Sequence, residues 1–180
     1  MNVSTDTIAP PARAAWTVHE SPIGSLTLVT GPAGLRRLAF AGQDRPLNEH
    51  DRDPAALADV TAQLDEYFAG ARRRFELELD LAGTEFQLAV WRALLAIPYG
   101  ETVSYGHVAR TIGRLEHVRA VGAANGRNPI AIIVPCHRVI GADGSLTGYA
   151  GGLERKRTLL NLEAGVAGGQ PALFSPISGR

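Results

Sequence analysis

The 180-residue chain has one cysteine, one methionine and no excess of either charge, with 18 Lys and Arg against 18 Asp and Glu. A single cysteine excludes an internal disulfide, and a cytoplasmic setting is the default for such a chain. No Cys/His cluster has zinc-ligand spacing, so neither a structural metal nor another cofactor is expected. No apolar run reaches the roughly 18–20 residues that span a bilayer, so no membrane partner is expected. The N-terminal MNVSTDTIAPPARAAW lacks the apolar core of a signal peptide.

What remains is a globular chain, 45% hydrophobic, long enough for one domain or two small ones. Its zero net charge hides an asymmetry. Residues 1–84 carry 8 Arg and Lys against 12 Asp and Glu, whereas residues 85–163 carry 9 against 6. The mildly basic second half fits an anionic partner, although ordinary surface variation would look the same.

Residues 1–15 have no periodicity and read as a loose arm. WTVHESPIGSLTLVT, residues 16–30, reads as two strands around a Pro-Ile-Gly turn, and residues 35–40 as a third. Residues 43–53 are polar, as in a surface loop. Leu57, Val60, Thr61, Leu64, Tyr67 and Phe68 recur at helical spacing within 54–69, and Gly70 ends that helix. Phe75, Leu77, Leu79 and Leu81 alternate with acids, which predicts a half-buried strand.

Residues 82–84 read as a junction between two domains, 16–83 and 84–165. Thr84 and Gln87 form a capping box for a helix over 85–97, stopped by Pro98-Tyr99-Gly100. A short helix over 104–112, with Gly113 as its cap, and a second over 116–124 suggest a helix-turn-helix. The second helix, EHVRAVGAAN, has almost no bulk: Ala120, Gly122, Ala123 and Ala124 surround one long side chain, Arg119. Gly within a helix costs about 1 kcal/mol against Ala. Close approach to another helix would offset that, and so would a narrow nucleic-acid groove. IAIIV, residues 130–134, reads as a buried strand or extended segment leading to Pro135-Cys136. A glycine-rich loop around an exposed Tyr149 follows, then a helix over 153–163 and a patternless tail from 166.

A buried cysteine usually behaves as a small hydrophobe. Cys136, however, follows a proline, adjoins His137 and Arg138, which favour a thiolate, and precedes a loop that could wall a pocket. In an extended segment His137 would point away from Cys136, so it could act only through a water or a bend.

PCHRVIG, preceded by RAVGAAN and NPIAIIV and followed by GYAGGLERKRTLLNLE, resembles the O6-alkylguanine-DNA alkyltransferases. FQLAVWRALLAIPYGETVSYGHVA is similar to the opening of their C-terminal domain, so the match runs from Thr84 to Glu163; SPIGSLTL carries a weaker match in the first half. The resemblance implies an α/β chain: an N-terminal ribonuclease H-like domain with an antiparallel sheet, and a mostly helical C-terminal domain with a winged helix-turn-helix. It implies that Cys136 takes the alkyl group from O6 of guanine, and that O4-alkylthymine is a second substrate. His137 would deprotonate the thiol through a water, Glu163 would hold His137, and Asn128 would support the site. Tyr105 would help rotate the nucleotide. Arg119 would enter the base stack, with Ala120 and Gly122 lying in the minor groove. Tyr149, Gly151 and Gly152 would wall the pocket, and main chain at Cys136 and Val139 would read the guanine edge. The zinc-binding cysteines of some members are missing, and Ala131 stands where others carry proline.

An extruded base suits this chemistry, because a stacked guanine hides its O6 substituent. The S-alkyl product is a thioether with no second cysteine to accept the group, so each molecule would act once. The implied partner is double-stranded DNA containing O6-alkylguanine, bound by a monomer that could assemble cooperatively. Two alternatives remain: a non-catalytic alkyltransferase-like lesion-binding protein, and a cysteine hydrolase with a Cys136–His137–Glu163 triad.

Overall fold

The computed structural model describes residues 14–43 and 47–168; most of the expected N-terminal arm, three residues of the 43–53 loop and residues 169–180 of the expected tail lie outside them, while residues 166–168 of that tail are helical. Three antiparallel strands open the fold: β1 (Trp16–His19), β2 (Leu26–Gly31) and β3 (Gly34–Phe40), in spatial order β1-β2-β3. The turn between β2 and β3 ends at Gly34, whose φ of 126° favours glycine. A Cβ there would also overlap the Glu78 carbonyl oxygen. Helix α1 (Ala58–Phe68) lays Leu64 and Tyr67 into the core shared with Leu26, Leu28 and Leu38 of the sheet. All five are at most 1% exposed, and truncating such a leucine to alanine costs about 2–5 kcal/mol.

The segment 75–81 does not form the expected strand. Phe75, Leu77 and Leu79 are half-buried and Glu76 and Glu78 exposed, as their alternation requires. The backbone, however, meets β3 at a single bridge, Leu35 with Leu79. Leu35 donates to the Glu78 carbonyl and accepts from the Asp80 amide, both at 2.8 Å. Alternation reports which face is buried; it does not supply the partner backbone that a ladder needs.

The second half is mostly helical. Thr84 caps α2 (Glu85–Leu95), and the reciprocal bonds between Thr84 and Gln87 complete the expected capping box. Then come β4 (Val103–Ser104), α3 (Tyr105–Thr111) and α4 (Val118–Gly126). Gly113 follows the α3 cap at φ 68°: its amide donates to Arg110 O and that of Arg114 to Ala109 O, a Schellman closure. β4 pairs in parallel with β5 (Val139–Ile140), and α5 (Leu153–Gly168) ends the described chain. One hydrophobic cluster runs through both halves, from Leu28 and Leu64 to Trp91, Val121 and Leu159.

Candidate active site

The run IAIIV is buried throughout, but it is a coil of turns and not the extended segment its composition suggests. Val134 donates back to Ile130 O at 2.9 Å, and Ile132 sits at φ 71°, a strained region for a β-branched residue. Asn128 fixes this coil from both ends: its Oδ1 accepts from the Ile130 amide at 3.0 Å and its Nδ2 donates to Val134 O at 2.7 Å. Cys136–Arg138 then forms a 3₁₀ turn, so the backbone bends at the cysteine itself.

Cys136 is 5% exposed and lines a cavity of about 710 Å³ together with Phe40, Asn128, Ala131 and Tyr149. Burial pushes its thiol up to about 11, against the smaller opposing effects of the Asn128 hydrogen bond and the Lys156 charge. At neutral pH only about one molecule in ten thousand would then carry a thiolate unaided.

His137 and Glu163 are fully buried, with Nε2 2.8 Å from Oε1. The Glu163 carboxyl is held far below the usual range despite its burial, because His137 and Arg138 both hydrogen-bond and attract it. An ionised carboxylate only accepts, so the imidazole proton resides on Nε2. Nδ1 is then a buried lone pair with no protein partner among the described residues. Burial lowers the His137 pKa, so the ring rests neutral.

Sequence spacing missed four further groups. Arg138 brackets Glu163 with Nε on Oε2 and Nη2 on Oε1, both at 2.9 Å, and donates Nη1 to Ile97 O. Tyr67, from α1 of the N-terminal half, donates its hydroxyl to Glu163 Oε1 at 2.7 Å. The Gly100 amide reaches Oε2 at 3.1 Å. Lys156, fully buried, ties Val139 O (2.6 Å) to Thr147 O (2.7 Å) through Nζ. In the sequence Arg138 stands out only as a neighbour of Cys136 and Tyr67 only as a core residue, and nothing in the spacing of the four points to Glu163 or to Val139.

The remaining expected site residues divide between two faces. Tyr105, Arg119, Gly122 and Tyr149 line a second, open cavity of about 470 Å³ that shares Tyr149 with the first. Tyr105 Oη lies 3.4 Å from Thr147 O. Arg119 is exposed and has no ion-pair or hydrogen-bond partner among the described residues. Ala120 is exposed beside it. Among the described residues a Cβ on Gly122 would meet only the Tyr105 ring, at 3.9 Å, so no described helix requires that glycine. Tyr149 is half-buried and not exposed; its ring meets Phe40 edge-on at 5.8 Å. Gly151 packs so tightly that a Cβ would lie 2.5 Å from the Phe40 ring. Val139 spends its amide on Cys136 O and one carbonyl lone pair on Lys156.

Comparison with known proteins places this geometry. The model of the 6-O-methylguanine DNA methyltransferase DNA-binding domain matches residues 85–165. That of the ribonuclease-like domain matches residues 15–81. A methylated-DNA–protein-cysteine methyltransferase of Mycobacterium tuberculosis is 55% identical over 157 residues, 86% of this chain and 95% of that protein. One from Methanosarcina acetivorans is 48% identical over 151 residues, 82% of this chain and 97% of that protein. The crystal structure of Mycobacterium tuberculosis OGT in complex with DNA is similar at a TM-score of 0.80 and 54% identity, covering 84% of this chain and 94% of that one.

Proposed function

The chain belongs to the 6-O-methylguanine DNA methyltransferases, and we propose that Cys136 is the residue that accepts the alkyl group in its reaction. The activity of the chain is that of a methylated-DNA–protein-cysteine S-methyltransferase, a direct-reversal DNA repair enzyme. The single observation that carries the assignment is a cysteine that lines a cavity and is followed in the chain by a histidine paired, fully buried, with Glu163.

The chemistry follows from the charges. A thiol held up to about 11 needs a base. His137 offers a neutral Nδ1 lone pair, and one water can carry the proton from sulfur to it. Glu163, accepting from Nε2, stabilises the imidazolium that forms. The thiolate attacks the methyl carbon, the S–C bond forms as the C–O6 bond breaks, and guanine keeps the bonding pair. A proton taken up at N1 then restores guanine, and Tyr105 is the candidate to hydrogen-bond the base. The product is a thioether on the only cysteine of the chain, so the protein is consumed one molecule per lesion.

Access requires the base to leave the duplex, since Cys136 lies inside a cavity and a stacked guanine cannot reach it. Arg119, exposed and without a partner among the described residues, lies beside a helix face of Ala120 and Gly122 and suits entry into the vacated stack from the minor groove. That groove is read only coarsely, which suits damage in any sequence context. We assign the partner as duplex DNA containing O6-alkylguanine.

The test is a duplex carrying one labelled O6-methylguanine, followed by peptide mass analysis. The methyl should appear on Cys136 in a stoichiometry approaching one. Label on another residue removes the assignment, and binding without transfer would make this a lesion-binding protein instead.

A further inference from the structure

We propose that Tyr67, supplied by the N-terminal domain, is a positioning residue for the transfer: its hydroxyl, donated to Glu163, holds the Cys136–His137 pair in the uncharged thiol–imidazole form at rest. This rests on the reading of His137 as the base for Cys136.

Tyr67 lies on α1 and is 0% exposed, packed against Phe75 and Tyr99 at ring distances of 5.4 and 6.0 Å. Its hydroxyl shares Glu163 Oε1 with His137 Nε2, at 2.7 and 2.8 Å. That oxygen also accepts from Arg138 Nη2. Every donor on Oε1 draws off negative charge that would otherwise stabilise an imidazolium. Burial, and then the Glu163 charge, push the Tyr67 phenol well above its ordinary pKa, so it stays protonated and donates throughout the working range.

The other groups facing the pair do not substitute for it. Arg138 and Lys156 act on His137 as cations, opposing its protonation from the 3₁₀ turn and from α5. Tyr99 lies against the cluster from the turn after α2, with the Arg138 guanidinium 5.7 Å from its ring centre and that of Arg73 at 5.9 Å. Glu163 keeps four donors if the Tyr67 hydroxyl is removed: His137, both Arg138 nitrogens and the Gly100 amide. Its orientation therefore survives, and the change is one of charge.

The step affected is internal. The Cys136 proton passes to His137 Nδ1, the sulfur keeps the electron pair, and the net charge of the pair is unchanged. Both thiolate forms alkylate, but only the one paired with imidazolium depends on the basicity of His137.

Because Cys136 is the only cysteine, iodoacetamide reads this equilibrium without DNA. Rates would be measured from about pH 4.5 to 9 on the full chain and on Tyr67→Phe. On the acid limb the two should coincide, since His137 is already protonated there. Above it, Tyr67→Phe should keep rising for about half to one pH unit further and run about 3- to 10-fold faster, until direct ionisation of the thiol at higher pH adds to both rates. A site-specific 3-fluorotyrosine at position 67, a stronger donor of the same shape, should shift both features the opposite way, and it guards against a folding defect in the phenylalanine variant. A uniform loss of rate with the limb unmoved would mean that Tyr67 only fills space, and would overturn the inference. An acid limb that persists in His137→Gln removes the general-base reading itself, and this proposal with it.

Discussion

Arg138 brackets Glu163, one nitrogen on each carboxylate oxygen at 2.9 Å, and neither side chain is more than 8% exposed. A buried carboxylate shared between a guanidinium and an imidazole is a charge arrangement that fails badly if one member is removed. Glu163→Gln should therefore destabilise the fold by about 3–5 kcal/mol, because Arg138 would be left without its counter-ion. A urea titration against Glu163→Gln/Arg138→Gln separates the causes: the double variant should recover part of the loss. A single variant as stable as the parent would show that solvent screens the pair.

Stability should fall in acid in two stages. The folded His137 pKa is lowered, so from about pH 6.5 downward the unfolded chain binds a proton that the native site resists. Glu163 is depressed, so its contribution is complete above about pH 4.3 and is lost as pH falls further. Urea midpoints taken between pH 8 and about pH 3 should show both, and His137→Gln should remove the upper stage. A midpoint flat from pH 8 to 5 would contradict the neutral buried histidine.

Arg119→Ala should lose repair of a methylated duplex while leaving the slow reaction of free O6-methylguanine base almost unchanged. Flipping costs a few kcal/mol, and each 1.4 kcal/mol left unoffset slows the reaction about tenfold. Arg119→Lys should fall between, keeping the charge without the planar group. Equal losses on both substrates in single-turnover assays would point to a damaged pocket.

Gly122→Ala should move stability and repair in opposite directions. A Cβ there has room, its nearest neighbour being the Tyr105 ring at 3.9 Å, so the helix should gain about 0.5–1 kcal/mol. Duplex binding should weaken if this face enters a groove. Thermal melting and gel-shift affinity on one preparation suffice; unchanged affinity would take Gly122 off the DNA-facing surface.

Lys156→Met keeps the buried stem but strands the carbonyls of Val139 and Thr147, at a cost of about 1–3 kcal/mol. It also removes a cation that favours the Cys136 thiolate and that is the smallest of the influences opposing protonation of His137. Iodoacetamide should react more slowly with this variant at neutral pH, and an unchanged rate would restrict Lys156 to a structural tie.

Local chemistry alone settled much of this protein. Thr84 and Gln87 specify a helix start three residues apart, and Gly113 a helix end, because caps are satisfied by near neighbours. PCHRV and its flanks carried the family, and helical spacing put Tyr67 in the core. Pattern misled where a feature needs a distant partner. The alternation of 75–81 described a half-buried face, but no neighbouring strand runs beside it long enough to pair. The apolar run 130–134 fits a strand or a buried coil equally well, and Asn128 decides for the coil by bonding both of its ends. Most of all, Glu163 gathers donors from Tyr67, Gly100, His137 and Arg138, up to 96 positions away. No spacing rule reaches that far, because a buried carboxylate takes whichever donors the packed chain brings within hydrogen-bond distance, and only the folded core determines which those are.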